Sequence, residues 1–442
     1  MLKFYTLLIV LTLGACSTHQ YKFSESEKVI QDVELTLRDL QMIPQDTSFY
    51  SKGIDAGSYS LEDFLKKYFS IWNLEIFDIN FKDAKWAYDA FKYGESYGEN
   101  LQLIPEDFFK TVYENSNFSN YASINKRAVS LTLVNLRAFP TDKPLFRDPQ
   151  KAGEGFPFDY LQNSTVSPNK PLLVSHYSKD KEWVFVSSSF AFGWVKSTEI
   201  AYVEENYTEL WKAAKQVFIL KDGIPIYDVN EKFLFKSRIG MLLPLINEDD
   251  ATYTVLTVTK DYDSSTVYTH SKISKIDAHK GILSFQEQNL NLILNQLYST
   301  NYGWGGLYGE RDCSSTIRDF YIPFGLWLPR NSSKQIEEGE YYSLKGLSND
   351  EKIVLIKKYA KPFKTLLYKP GHIVLYVGEG MNNEIVVFQN VWGVKTKEND
   401  TEGRRIVGKS VFSSLELGKE LRNYDENGSL LSSLEGLNIL KP

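Results

Sequence analysis

Sulfur and imidazole are scarce in this chain of 442 residues, which has two cysteines and five histidines. Two cysteines exclude a disulfide framework as the device that holds so long a chain together. Positive charge is not in excess either. The 50 Lys and Arg face 56 Asp and Glu, for a net charge of −6, which argues against nucleic acid as a partner. The apolar stretch from Phe4 to Leu13 is too short to span a bilayer, and no other run is long enough to cross one. Aromatic residues, by contrast, are plentiful: 28 Tyr, 27 Phe and 8 Trp suit several small β domains and grooves for peptide or carbohydrate. The length allows three or four domains, since one core seldom grows beyond about 250 residues.

The two cysteines have different explanations. Lys3, the short apolar run and Leu13-Gly14-Ala15-Cys16 read as a secretory signal, residues 1–16, ending in a sequence that resembles a bacterial lipobox. That reading makes Cys16 the acylated N-terminus of an exported lipoprotein tethered to a membrane. Ser17 points to the periplasmic face of the outer membrane. Cys313 then has no disulfide partner in the chain. It follows the glycine-rich Tyr302-Gly-Trp-Gly-Gly306 and sits in Arg311-Asp312-Cys313-Ser314-Ser315, ahead of a helical pattern. Peptide N–H groups and the positive end of a helix dipole favour a thiolate there.

Residues 20–125 mix helical and irregular signals. Ser60-Leu-Glu-Asp63 reads as a capping box, followed by Phe64, Leu65, Tyr68, Phe69 and Trp72 on one helical face. Residues 126–205 turn to short strands. Val129–Val134 alternates, and Pro171–Val174, Trp183–Val186 and Gly193–Val195 follow between turns, suggesting a small barrel. Residues 206–278 repeat that rhythm without repeating the residues. From residue 279 to 442 the pattern becomes α+β. A capping box is expected at Ser284-Phe-Gln-Glu287, then a helix through Leu290, Ile293, Leu294, Leu297 and Tyr298, the Cys313 helix, and strands His372–Val377 and Ile385–Gln389.

Thiol catalysis needs an imidazole within reach and a third group to fix its tautomer. His19, His176, His270 and His279 lie outside the last unit or at its junction, and only His372 lies within it, after the Pro370-Gly371 turn. Gln389 and Asn390 alternate on the next strand, so one of the two amides can meet the ring.

The runs Tyr302–Gly306, Asp312–Ser315, Leu328-Pro-Arg330 and Pro370-Gly371-His372 resemble the NlpC/P60 cysteine peptidases of bacterial cell walls. Gly153–Gln162 with Gly193-Trp194-Val195 is similar to the first bacterial SH3 (SH3b) domain of one branch of that family. The next barrel is similar to its second SH3b domain, and residues 20–125 to its clip-like leading domain. The resemblance implies a γ-D-glutamyl-L-diamino acid endopeptidase acting on peptidoglycan stem peptides without metal or cofactor. It implies Cys313 as nucleophile, His372 as base and Gln389 at the third polar position, where this branch commonly has His. Asp312 would hold the free amino group of a substrate, Tyr302 would line the site, and Arg311 and Ser314 would contact the stem peptide. Tyr160, Trp183 or Phe192 of the first barrel would close one end of the groove. An amidase or acyltransferase on the same fold, and a non-catalytic wall-binding lipoprotein, are the alternatives to this reading.

Overall fold

The computed structural model describes residues 37–55 and 57–441; Cys16, Ser17 and His19 lie outside the described residues. The leading section does not form a core of its own. Ser60 caps the helix Leu61–Tyr68 by accepting from the Asp63 N–H at 3.1 Å. That helix and the turn after it bury Phe64, Tyr68, Phe69 and Trp72 together with Phe185 of the first barrel and Phe218 of the second. The Trp72 indole donates to the Ala128 and Leu172 carbonyls at 3.3 and 3.2 Å, so the section is wedged onto the first barrel by its largest side chain. Two short helices, Arg38–Met42 and Thr47–Ser51, pack on the C-terminal domain instead. The Gln45 amide brackets Phe412, donating to its carbonyl (2.7 Å) and accepting from its N–H (3.1 Å), and Asp39 accepts from the Ser414 N–H at 2.9 Å.

The first barrel is a seven-stranded antiparallel sheet running from Lys126–Ser130 to Ile200–Tyr202. The alternating run Val129–Val134 is not one strand. The chain turns after Ser130, the Leu131 N–H bonding to the Glu199 carbonyl, and a new strand runs Val134–Arg137. Alternation survives the corner because Ala128, Val134 and Leu136 all face one small core. Gln162–Val166, too polar to read as a strand, is one, and its neighbour is the C-terminal domain rather than water. His176 is fully buried where this barrel meets the leading section. Its Nε2 bonds the Ser116 carbonyl, and Phe118, Tyr121, Phe185 and Trp194 surround it.

The second barrel sets Leu242–Glu248 at the centre of a five-stranded sheet, between Thr252–Lys260 and Gln216–Ile219, with Thr266–Ser274 and Ala278–Lys280 at the edges. It joins the last domain through buried charge. Asp319 Oδ2 accepts from Arg311 Nε (2.8 Å) and from Arg238 Nε of the barrel (3.1 Å), and Arg311 also grips Asp222 of the barrel.

The last domain is the expected α+β unit, with a six-stranded antiparallel sheet. The capping box at Ser284 does not form. The helix starts later, at Glu287–Leu297 with Gln286 in the cap position, because the Glu287 carboxylate is taken by the Gly53 N–H at 2.7 Å. Leu290, Ile293, Leu294 and Leu297 are nonetheless all buried, as their spacing predicts. The helix Cys313–Tyr321 lays Ile317, Phe320 and Tyr321 on Leu375, Val377 and Phe388 of the sheet. The strand Ile385–Glu398 is far longer than its apolar run, so Gln389 and Asn390 sit within it rather than at its end.

Candidate active site

Cys313 is the first residue of its helix, and Asp312 is the cap. The Asp312 carboxylate accepts from the Ser315 N–H at 2.9 Å, while the Ser315 hydroxyl accepts from the Asp312 N–H at 2.9 Å. This reciprocal pair fixes the point where the chain enters the helix. The loop before it is glycine-rich for a reason unconnected with chemistry. Gly305 and Gly306 have φ of 60° and 86°, and a Cβ on Gly306 would lie 2.5 Å from the Thr165 hydroxyl; one on Gly305 would collide with the Gln162 carbonyl. Those two positions let the first barrel's Gln162–Val166 strand press directly onto the Cys313 loop.

Asp312 is buried, 7% exposed, and its charge is answered by Arg330 at 6%. The guanidinium bridges both oxygens, Nη2 to Oδ2 at 2.5 Å and Nη1 to Oδ1 at 3.2 Å, and its Nε donates to Ser164 of the first barrel at 2.7 Å. Burial pushes the carboxyl up, yet Arg330 and the helix-cap hydrogen bonds hold it below the usual carboxylate value. The Gly305 N–H (3.2 Å) and the Ser314 hydroxyl (3.2 Å) occupy the remaining lone pairs. Asp312 is therefore a neutralised cap and not an open receptor for an ammonium group, because a buried carboxylate with no partner would be strongly destabilising. Ser314 belongs to the same knot, accepting from Arg330 at 2.8 Å. Arg311, expected beside the substrate, points the other way into the Asp222–Asp319 junction and is 3% exposed. In the sequence Arg330 stands only as the end of the Leu328-Pro-Arg330 run; its partner is visible only in space.

The thiol environment also departs from expectation. Burial raises the Cys313 thiol to about 12, and the adjacent Asp312 charge adds to the rise. Backbone N–H groups of Ile373 and Ser314 act in the opposite direction and are outweighed. The Ile373 contact also places the His372 strand against the thiol. His372 begins that strand after Gly371, whose φ of 81° makes the turn. Its Nε2 lies 2.8 Å from Gln389 Oε1. The Gln389 amide nitrogen bonds the Ser413 hydroxyl at 2.6 Å, and that hydroxyl donates to the Ser414 carbonyl at 2.9 Å. Ser413 can then only accept from the amide, so Oε1 faces the ring and Nε2 carries the hydrogen. The neutral ring is left with its lone pair on Nδ1. Burial draws His372 down to about 4; the Gln389 bond opposes this, and the Lys369 charge reinforces it. Of the two amides, Gln389 meets the imidazole. Asn390 faces the helix and donates to the Arg311 carbonyl (2.9 Å) and the Thr316 hydroxyl (3.1 Å), fastening the loop.

A cleft of about 550 Å³ opens beside this pair, walled by Tyr302, His372, Gln389 and Trp392. Burial lifts the Tyr302 hydroxyl well above its usual value, and the Asp312 carboxylate adds to the effect. The first barrel supplies the remaining wall through Phe158, 5.2 Å from Trp304, 6.2 Å from Trp392 and 6.4 Å from Tyr302. None of the three residues expected there fills that position. Tyr160 lies one ring behind, on Trp304 at 5.6 Å. Trp183 is buried in the barrel, and Phe192 lines a different cleft. The signal was the Phe156-Pro-Phe158 step inside the run already singled out.

Four segments of the chain match family models. Residues 5–121 match the N-terminal stabilising domain of NlpC/P60 proteins, 144–196 an SH3 domain of SH3b1 type, 205–250 one of SH3b2 type, and 299–390 the NlpC/P60 family. Among solved structures, the chain is similar to an NlpC/P60 endopeptidase from Photobacterium damselae subsp. piscicida. Identity is 23% over 90% of this chain and 97% of that one, with a TM-score of 0.78, a likeness of fold. An NlpC/P60 family protein from Bacillus cereus is 14% identical over 72% of this chain and 100% of its own, with a TM-score of 0.46. No curated protein matches.

Proposed function

We propose that this chain, which belongs to the NlpC/P60 family by its peptidase domain and the three domains before it, cuts peptidoglycan stem peptides between γ-D-Glu and the L-diamino acid. The observation that carries the reading is the Cys313 helix start beside the His372–Gln389–Ser413 relay at one cleft. With the thiol raised and the ring lowered, the resting pair is neutral. Proton transfer to His372 Nδ1 then accompanies attack of sulfur on the γ-carbonyl. Peptide N–H groups at the helix start and the Tyr302 hydroxyl receive the oxyanion in this reading. The Nδ1–H next protonates the leaving amine, the C–N bond breaks, and a thioester remains on Cys313. Water, deprotonated by the same nitrogen, hydrolyses the thioester and returns the thiol. Gln389 fixes the ring but offers a charged imidazolium less stabilisation than a carboxylate would. Acylation at Cys16, with the body held at the periplasmic face of the outer membrane, completes the proposal.

Mass spectrometry of digests tests it, comparing the protein lacking residues 1–16 with its Cys313→Ala variant on free tri- and tetrapeptide stems and on intact peptidoglycan. Release of L-Ala–γ-D-Glu by the parent alone is expected. Release of whole stem peptides would instead indicate an amidase, and no cysteine-dependent product would indicate a wall-binding protein.

A further inference from the structure

Where the Cys313 helix meets the two barrels, buried positive charge outnumbers negative. Asp222 pairs with Arg311, and Asp319 takes Arg311, Arg238 and, at 3.5 Å, Arg318. A further cation is Lys170 of the first barrel. It is 6% exposed, and its ammonium makes no ion pair or hydrogen bond among the described residues. Arg238, Arg311, Arg318 and Lys170 therefore share the carboxylates of Asp222 and Asp319.

The excess gathers around the Phe190 turn. The Lys170 ammonium lies 3.3 Å from the Tyr68 ring centre and 5.7 Å from that of Phe190, and the Arg318 guanidinium lies 3.7 Å from Phe190. Ring faces attract a cation without neutralising it. Arg318 Nε and Nη1 are both buried without a hydrogen-bond partner, as is the hydroxyl of Ser189, the residue before Phe190. Burial lowers the Lys170 ammonium and the Arg318 charge lowers it further, with Asp319 acting the other way. Burial lowers Arg318 as well; Asp319 opposes this, and the charges of Arg330 and Arg238 reinforce it. Buried donors without an acceptor, set among like charges, are costly, and an anion removes both costs at once. A cleft of about 990 Å³, lined by Ser189, Phe190 and Arg330, reaches this turn from outside and gives a small solute a way in.

We infer that this junction is an anion site, in which one small, weakly hydrated monovalent anion such as chloride accepts from the unpartnered Arg318 N–H groups and answers the Lys170 charge. Tyr68 and Phe190 make the surroundings largely apolar, which favours such an ion over phosphate, whose hydration costs more to strip. The site is assembled from three sections of the chain: Tyr68 of the leading section, Lys170 and Phe190 of the first barrel, and Arg318 of the Cys313 helix. Its occupant ties the nucleophile's helix to the domains before it. Neither Lys170 nor Arg318 has a part in the proposed cleavage, so the inference stands apart from that reading.

The test follows thermal unfolding of the full chain at fixed ionic strength while sodium chloride replaces sodium gluconate. Tm is expected to rise saturably by about 3–5 °C, and sodium phosphate at the same ionic strength is expected not to reproduce the rise. Lys170→Met, which keeps an apolar stem on Tyr68, and Arg318→Gln should each flatten the chloride response, whatever they do to Tm itself. Crystals soaked in bromide should show an anomalous scatterer within hydrogen-bond distance of Arg318. Absence of bromide there would overturn the inference, as would a chloride response that is not saturable, is matched by phosphate, or survives in both variants.

Discussion

At Gln389 a neutral amide holds a position that a charged or imidazole group could fill, and Ser413 keeps it from flipping. Gln389→Ala removes control of the ring tautomer, and kcat is expected to fall by about 10- to 100-fold while circular dichroism stays unchanged. The same burial that shapes the pair sets its pH response. With His372 drawn from 6.5 to about 4, the acid limb of kcat/KM should lie well below the ordinary imidazole range. A limb at or above 6.5 would contradict the neutral-pair mechanism. Sequence made Cys313, His372 and the Gln389/Asn390 choice legible, because residue type and strand alternation suffice for that much. It misjudged the thiol, since helix position can be read from the chain and burial cannot. Arg311 was misplaced, because the charges that neutralise it, Asp222 and Asp319, are distant in sequence, and the Arg330 partner of the Asp312 cap was hidden for the same reason.

Elements were legible wherever they face a core of their own domain, as with Leu290, Ile293, Leu294 and Leu297. They were obscure where another domain covers them. The polar Gln162–Val166 strand is buried by the Cys313 loop, and the Glu287 helix takes its starting point from Gly53. The glycine pair shows how tightly these surfaces meet. Gly306→Ala sets a methyl group against Thr165 at a positive φ, and it should destabilise the fold by about 1–3 kcal/mol in chemical denaturation. Activity should fall with it, because the displaced loop carries Tyr302. Wild-type stability in that variant would mean the two surfaces can part without cost.

At the scale of the molecule, charge and aromatic packing join the domains. Asp319 holds Arg311 and Arg238 across the second barrel, and their charges keep its carboxyl well below the usual range although burial acts the other way. Asp319→Asn leaves those cations short of a partner and should cost about 3–5 kcal/mol, with calorimetry resolving separate transitions instead of one. His176 gives a second prediction. Its ring is buried neutral with its pKa lowered from 6.5 to about 4, so the unfolded chain takes up the proton first. The stability it contributes is full above about 6.5 and is lost as pH falls towards 4, so Tm should drop across that window. His372 is shifted in the same direction and adds to the drop. A flat Tm from pH 7 to 4 would count against both burials.

The Asp39–Ser414 and Gln45–Phe412 contacts tie together residues 375 and 367 positions apart. On a ribosome, residues 37–51 can meet the Glu287–Leu297 helix first, through Thr47 and Asn295, but these two contacts must wait for strands made 367 and 375 residues later. Loop closure over such a span is slow, and until then the Tyr50 face that stacks on Phe412 remains uncovered. The assembled protein thus carries an order of manufacture in its architecture: residues 37–51 complete their seat on the last domain only once Phe412 and Ser414 have been made. Chains halted before Phe412 should lose residues 37–51 rapidly to protease, and full-length chains should protect them.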